Sequence, residues 1–197
     1  TYWTLLQNEA EKHSLNLLAD FTCILLNRFR NPIEAQGFLL KIFRWTRNNS
    51  FNIAFFKLVN WYYLHREMDN IKQLLQEYTE IQQELGLEEK DSVIEYIECF
   101  TEPFQEKKPS IAYFYFLTST GQPERAYCIL KSISDSLSKP QYLNMLFDCE
   151  KYQEFISASP KSTTSRLNKK IAFAQLKLGK EPQGLNVQPE VFSSLLL

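Results

Sequence analysis

The side chains suited to acid–base or nucleophilic chemistry are few. There are two histidines, His13 and His65, and four cysteines, Cys23, Cys99, Cys128 and Cys149. Cysteine–histidine catalysis needs thiol and imidazole within hydrogen-bond reach, which only a fold can arrange. The cysteines are irregularly spaced and include no CxxC pair, so their pattern does not describe a tetrahedral metal site. Each falls among apolar residues on a predicted helix, the setting of reduced, buried thiols in the cytoplasm or nucleus. His65, in the segment LHREMD near the end of an aromatic helix, reads as a structural or surface side chain. No HExxH, GxSxG or glycine-rich phosphate cradle occurs. The carboxylates share helix faces with Lys and Gln, and their spacing assigns no pair of hydrolytic acids. The expectation is a protein with no catalytic residues, no metal and no cofactor.

The charges are more informative than any single residue. Formal net charge is −1 with a pI of about 6.2, so the chain lacks the global field of a dedicated nucleic-acid binder. Its distribution is uneven. Residues 67–106 hold twelve acids and two bases, Lys72 and Lys90. Residues 28–47 hold five bases, Arg28, Arg30, Lys41, Arg44 and Arg47, against one acid, Glu34. Residues 161–180 hold six bases and no acid. Such segregation steers charged partners, unless the faces pair within the fold or are merely solvated. The run Lys41–Arg47 interleaves Phe43 and Trp45 with bases, as single-strand-binding grooves do, although helical spacing makes both rings packing residues.

The elements that would position these residues are helices. Hydrophobic residues are 44% of the 197 and glycines number 5, which favours a packed helical core over a loop-rich or all-β design. The longest apolar runs are about six residues, far short of a membrane span. A helical stripe runs from Leu15 to Phe29 with Ser14 as cap, and Asn31-Pro32 starts a second helix to about Phe43. Phe51 to Arg66 is aromatic around most of its surface, which predicts burial on two sides. Asp69 is expected to cap the next helix and Gly86 to close it. Asp91 is expected to cap another, stopped near Pro103. A polar linker follows at 105–109. The segment Ile111–Ile133 reads as two helices joined at Gly121-Gln122-Pro123, a C-terminal glycine followed by an N-terminal proline. Pro140 starts a further helix, and others follow at 152–156 and 167–178. The segment SASPKSTTS at 157–165 reads as a loop.

This alternation of helices and tight turns resembles the tetratricopeptide-type helical repeat. On the segment 110–138, Tyr113 and Leu117 take the Leu and Tyr slots of the first helix, and Ala126 and Leu130 the Ala and Phe slots of the second. Ser110 and Phe114 depart from the Trp and Gly of the pattern, and Ser138 stands at the Pro slot. A second frame puts Leu26, Ala35 and Leu39 on the Tyr, Ala and Phe slots. A third spans 61–85, with Lys72 on the Ala slot. Armadillo, HEAT and pentatricopeptide units would read similarly, and the repeats here are degenerate.

The resemblance implies an all-α fold, a right-handed α-solenoid of stacked antiparallel helix pairs. It implies a single repeat domain over 1–180; the prolines and glycine of 181–189 predict an extended tail at 181–197, in which Pro189 can start a short helix. The implied function is a non-enzymatic scaffold, a subunit of a larger protein complex in the cytoplasm or nucleus. Its partner would be a peptide or helix in the concave groove, or an obligate subunit, and no membrane is involved. The implied partner-binding residues are Asn27, Arg28, Lys57, Trp61, His65, Tyr115 and Thr118. Repeats of this kind that clamp a C-terminal carboxylate use Lys and Asn at slots held here by Asp20 and Ile24. The other reading is a helical-repeat protein that binds RNA or single-stranded DNA through 28–47 and 161–180.

Overall fold

The computed structural model describes residues 15–47, 52–87, 91–102, 107–160 and 165–181, leaving the side chains of 15–20 and 165–166 outside that description. The Ser14 cap, the middle of the SASPKSTTS loop and the tail from 182 lie outside the described residues. Within them the fold is all-α, with ten α-helices and no strand. The helices gather into two compact units, Thr1–Thr120 and Gly121–Leu197.

The first unit holds α1 (Leu15–Asn27), α2 (Pro32–Thr46), α3 (Asn52–Leu64), α4 (Met68–Glu84), α5 (Ser92–Thr101) and α6 (Ile111–Ser119). Local chemistry sets most boundaries. Asn31 Oδ1 accepts from the Glu34 N–H at 3.1 Å, and Pro32 occupies the first turn, where its missing donor costs nothing. Asp91 Oδ1 accepts from the N–H groups of Val93 and Ile94 at 2.9 and 3.1 Å. Ser110 Oγ accepts from the Tyr113 N–H at 3.2 Å. The start of α4 differs from expectation: the helix begins at Met68, and Asp69 lies in its first turn. Met68 packs against the core and draws the helix back, and Asp69 instead opposes the positive N-terminal dipole.

Neighbouring helices pack along the chain, and helices two apart also touch: α1 on α3, α2 on α4, α3 on α5. That pattern puts α1, α3 and α5 in one row and α2 and α4 in the other. The aromatic helix α3 is therefore enclosed by four neighbours, α1, α2, α4 and α5, as its sequence requires. Ala54, Phe55, Phe56, Leu58, Val59 and Tyr62 are its buried residues. Tyr78 on α4 stands at the centre, its ring stacked 4.4 Å from Phe43 and edge-on to Phe55 at 5.1 Å. The buried Gln36 amide ties three helices together. It donates to Glu77 Oε2 at 2.8 Å and accepts from the Tyr62 hydroxyl at 2.8 Å. Such a bridge is stabilising only because each buried polar group in it is paired.

The second unit holds α7 (Pro123–Ile133), a 3-10 turn at Ser134–Ser136, α8 (Lys139–Asp148), α9 (Tyr152–Ala158) and α10 (Ser165–Lys177), each packed on the next helix. Ala126, Leu130, Leu143, Met145, Leu146, Phe155 and Ala174 are buried there, with Phe147 set among the rings of Tyr152, Phe155 and Phe173. Of the repeat slots, Leu26, Ala35, Leu39, Leu117, Ala126 and Leu130 are all buried, and Lys72 is exposed.

Candidate functional site

The solvent side of α3 carries Ile53, Lys57, Trp61 and Leu64, at intervals of four, four and three residues, so they form one ridge along the helix. Ile53 is 51% and Leu64 72% exposed, while Lys57 and Trp61 are half-buried. Exposed Leu and Ile are ordinary one at a time; a row of apolar side chains along one helix is a surface that water leaves readily. His65 extends the ridge. Its ring stacks on Trp61 at 3.7 Å, and its Nδ1 lies 2.8 Å from the Trp61 carbonyl oxygen. Trp61 is thus held against both His65 and the core.

On one flank lies α1. Lys57 Nζ sits 2.9 Å from Cys23 Sγ, so the ammonium is turned toward α1. Ile24 and Asn27 are exposed on α1, and Arg28 in the turn that follows it. On the other flank lies α5. Asn52 Nδ2 donates to Ser92 Oγ, and the Tyr96 hydroxyl donates to Asn60 Oδ1. Phe56 stacks on Tyr96 at 4.0 Å, and Tyr63 lies 4.9 Å from Phe100. These pairs advance together along both helices, so α3 and α5 run parallel.

Five of the seven residues expected to bind a partner thus lie on α1, α3 or the turns that follow them: Asn27, Arg28, Lys57, Trp61 and His65. Tyr115 and Thr118 lie on α6. Tyr115 is packed against the core with its ring 5.7 Å from Phe56, and Thr118 Oγ1 donates to the Tyr115 carbonyl at 2.9 Å. The sequence marks neither Ile53 nor Leu64, and Ile24 only as a departure from the carboxylate clamp. On a helix that is apolar nearly all round, periodicity does not say which apolar residues face water.

The remaining polar clusters hold themselves together. Glu154 accepts from the Tyr127 hydroxyl at 2.7 Å and from Lys131 Nζ at 2.5 Å, and Lys151 pairs with Glu124 at 2.6 Å. Both ammonium groups also lie over the Tyr127 ring, at 5.0 and 4.8 Å. The Lys131 hydrogen bond, then that of Tyr127, holds the Glu154 carboxyl below its ordinary range. This is a surface clamp between α7 and α9. Of the basic segments, Arg44 pairs with Glu84 at 2.9 Å, Lys170 with Asn144 Oδ1 at 3.0 Å and Lys180 with Gln153 Oε1 at 3.0 Å. Trp45 is 41% exposed and Phe43 fully buried. Among the described residues no three His, Cys, Asp or Glu side chains converge as a metal site would need, and no helix is long and apolar enough to cross a membrane. Comparison with protein-family profiles, with curated proteins and with solved structures finds no match to this chain.

Proposed function

We propose that the first unit is a protein-binding scaffold of the tetratricopeptide-like, right-handed solenoid kind, a non-enzymatic subunit of a larger assembly. The row α1, α3, α5 would be its docking face. One observation carries this reading: Ile53 and Leu64 stand exposed on one side of α3, with half-buried Trp61, stacked on His65 and packed against the core, between them. An aromatic anchor held in one rotamer loses little entropy on binding, which is why Trp and Tyr dominate binding hot spots.

The test removes the ridge without touching the core. Ile53→Ser with Leu64→Ser alters two exposed side chains. A charge at Tyr115 would instead break its packing on Phe56 and test folding. The tagged chain is purified from cells and its bound proteins quantified by mass spectrometry. The ridge variant should lose the principal bound protein, while a control on the exposed face of α4, Lys72→Ser with Gln76→Ser, should keep it. Retention by both variants removes the ridge from consideration.

A further inference from the structure

Cys23 on α1 and Lys57 on α3 are 34 residues apart in the chain and meet across the two helices, with Lys57 Nζ donating to Cys23 Sγ at 2.9 Å. We infer that this pair is an oxidative modification site, at which a peroxide leads to a covalent sulfur–nitrogen bond between the two side chains. The pair stands whether or not the α3 ridge docks a protein.

The thiol supplies the first half of the chemistry. A peroxide oxidises a thiol by two electrons to the sulfenic acid, and hydrogen peroxide is itself reduced to water. A sulfenic sulfur is electrophilic and is captured by a thiol or by a nitrogen lying against it. Here the nitrogen is already in place. A separation of 2.9 Å is within the range of about 3–3.5 Å from which positioned groups react, and the packing of α1 on α3 maintains it. Lys57 Nζ, having passed a proton to water, attacks the sulfur. The S–N bond forms, the S–O bond breaks and the oxygen leaves as water. Sulfenic acid and ammonium thus give a sulfenamide, one water and one proton. Two thiols of a reductant reverse the link, restoring thiol and amine and leaving as a disulfide.

Thiol and amine carry the reaction between them, so the site needs only room for a peroxide. Cys23 is half-buried and admits so small an oxidant, whereas Cys99 and Cys149 are buried. Cys128 is exposed, but the ammonium three residues on, that of Lys131, is drawn to Glu154 at 2.5 Å. Oxidation at Cys128 therefore stops at the ordinary sulfenic acid. At Cys23 it ties α1 to α3 and removes the charge of Lys57.

The whole chain is treated with hydrogen peroxide, quenched with catalase, alkylated and digested without reductant. Peroxide is raised until a parallel sample with dimedone, a trap for sulfenic acids, is labelled at Cys128, so that the oxidant is known to have acted. Mass spectrometry should find the peptides of Cys23 and Lys57 joined, two hydrogens lighter than their sum, as the principal product at Cys23. Dithiothreitol should release both peptides unmodified. Lys57→Arg keeps a cation but offers no attacking amine, and its Cys23 should instead appear as the dimedone adduct. Should that variant lose its helical circular dichroism, Lys57→Gln takes its place with the same expectation. Cys23 left as a thiol, halted as sulfenic or sulfinic acid, or found in a disulfide, with no link to Lys57, overturns the inference. A link that retains an oxygen overturns the sulfur–nitrogen bond.

Discussion

Cys149 shows how burial alone sets the reactivity of a residue. It is 1% exposed, and burial pushes its thiol up to about 11. The nucleophile is the thiolate, so this cysteine is inert at neutral pH. All four thiols are free; Cys99 is also buried, Cys23 half-buried and Cys128 exposed. A chromogenic disulfide reagent should therefore label Cys128 first and Cys23 second, with Cys99 and Cys149 reacting only on addition of denaturant. Fast labelling of all four in buffer would contradict the packing around α5 and α8. Gln36 is the residue-scale test of the first unit's core. Gln36→Leu keeps the volume but leaves the buried Tyr62 hydroxyl without its acceptor. The expected loss is about 1–3 kcal/mol, read as a lower urea midpoint at unchanged slope. Neither role is written in the sequence, where Gln36 and Cys149 stand among residues of equal plausibility.

At the scale of elements, the sequence is legible wherever a helix end is specified by its own side chains. Asn31-Pro32, Asp91 and Ser110 start helices where their side-chain oxygens meet free N–H groups. Gly86, Gly121 and Gly179 end them with positive φ. Other ends carry no such mark. Arg30, Arg47, Arg66 and Glu150 also sit at positive φ, where a side chain is disfavoured; all four are exposed, and backbone hydrogen bonds, such as those from the Glu67 and Lys151 N–H groups to the Tyr62 and Leu146 carbonyls, close these turns. Asn31-Pro32 follows Arg30 and Asn48-Asn49-Ser50 follows Arg47, but no turn residue adjoins Arg66 or Glu150. The φ of +73° at Gly121, with open space about its Cα, isolates the backbone effect. Gly121→Ala should cost about 1–2 kcal/mol by thermal denaturation, and Gly121→Asn less, because Asn tolerates the left-handed region. An unchanged melting temperature would mean that the turn relaxes into another conformation. The α3 ridge belongs to this scale too. Periodicity shows that α3 is apolar all round, but its neighbours α1 and α5 decide that Ile53 and Leu64 are left in water.

At the scale of the whole molecule, the buried tyrosines couple folding to alkaline pH. Burial holds Tyr62, Tyr78 and Tyr96 above the ordinary value of 10.0. For Tyr78 the hydrogen bond to the Asp91 carboxylate adds to this. The unfolded chain ionises these phenols near pH 10, so the folded state binds more protons above that value. Stability is then fully present below pH 10 and is lost as pH rises beyond it. In an alkaline titration, phenolate absorbance from these three side chains should appear only together with the loss of helical circular dichroism. Titration of all ten tyrosines while the helices persist would contradict the placement of Tyr62, Tyr78 and Tyr96. The charge segregation is also resolved at this scale. Arg44 of the basic segment meets Glu84 of the acidic one.

The sequence by itself determined the class of the fold, the position of most helices and the identity of much of the core. These follow from local rules: a period near 3.6, capping oxygens, proline at a first turn and glycine past a last one. Tertiary structure decided which side of the aromatic helix faces water, that Tyr115 packs on Phe56 and that Gln36 joins Tyr62 to Glu77. Those outcomes depend on which helices are neighbours, and contacts between distant parts of the chain leave no periodic trace within either part.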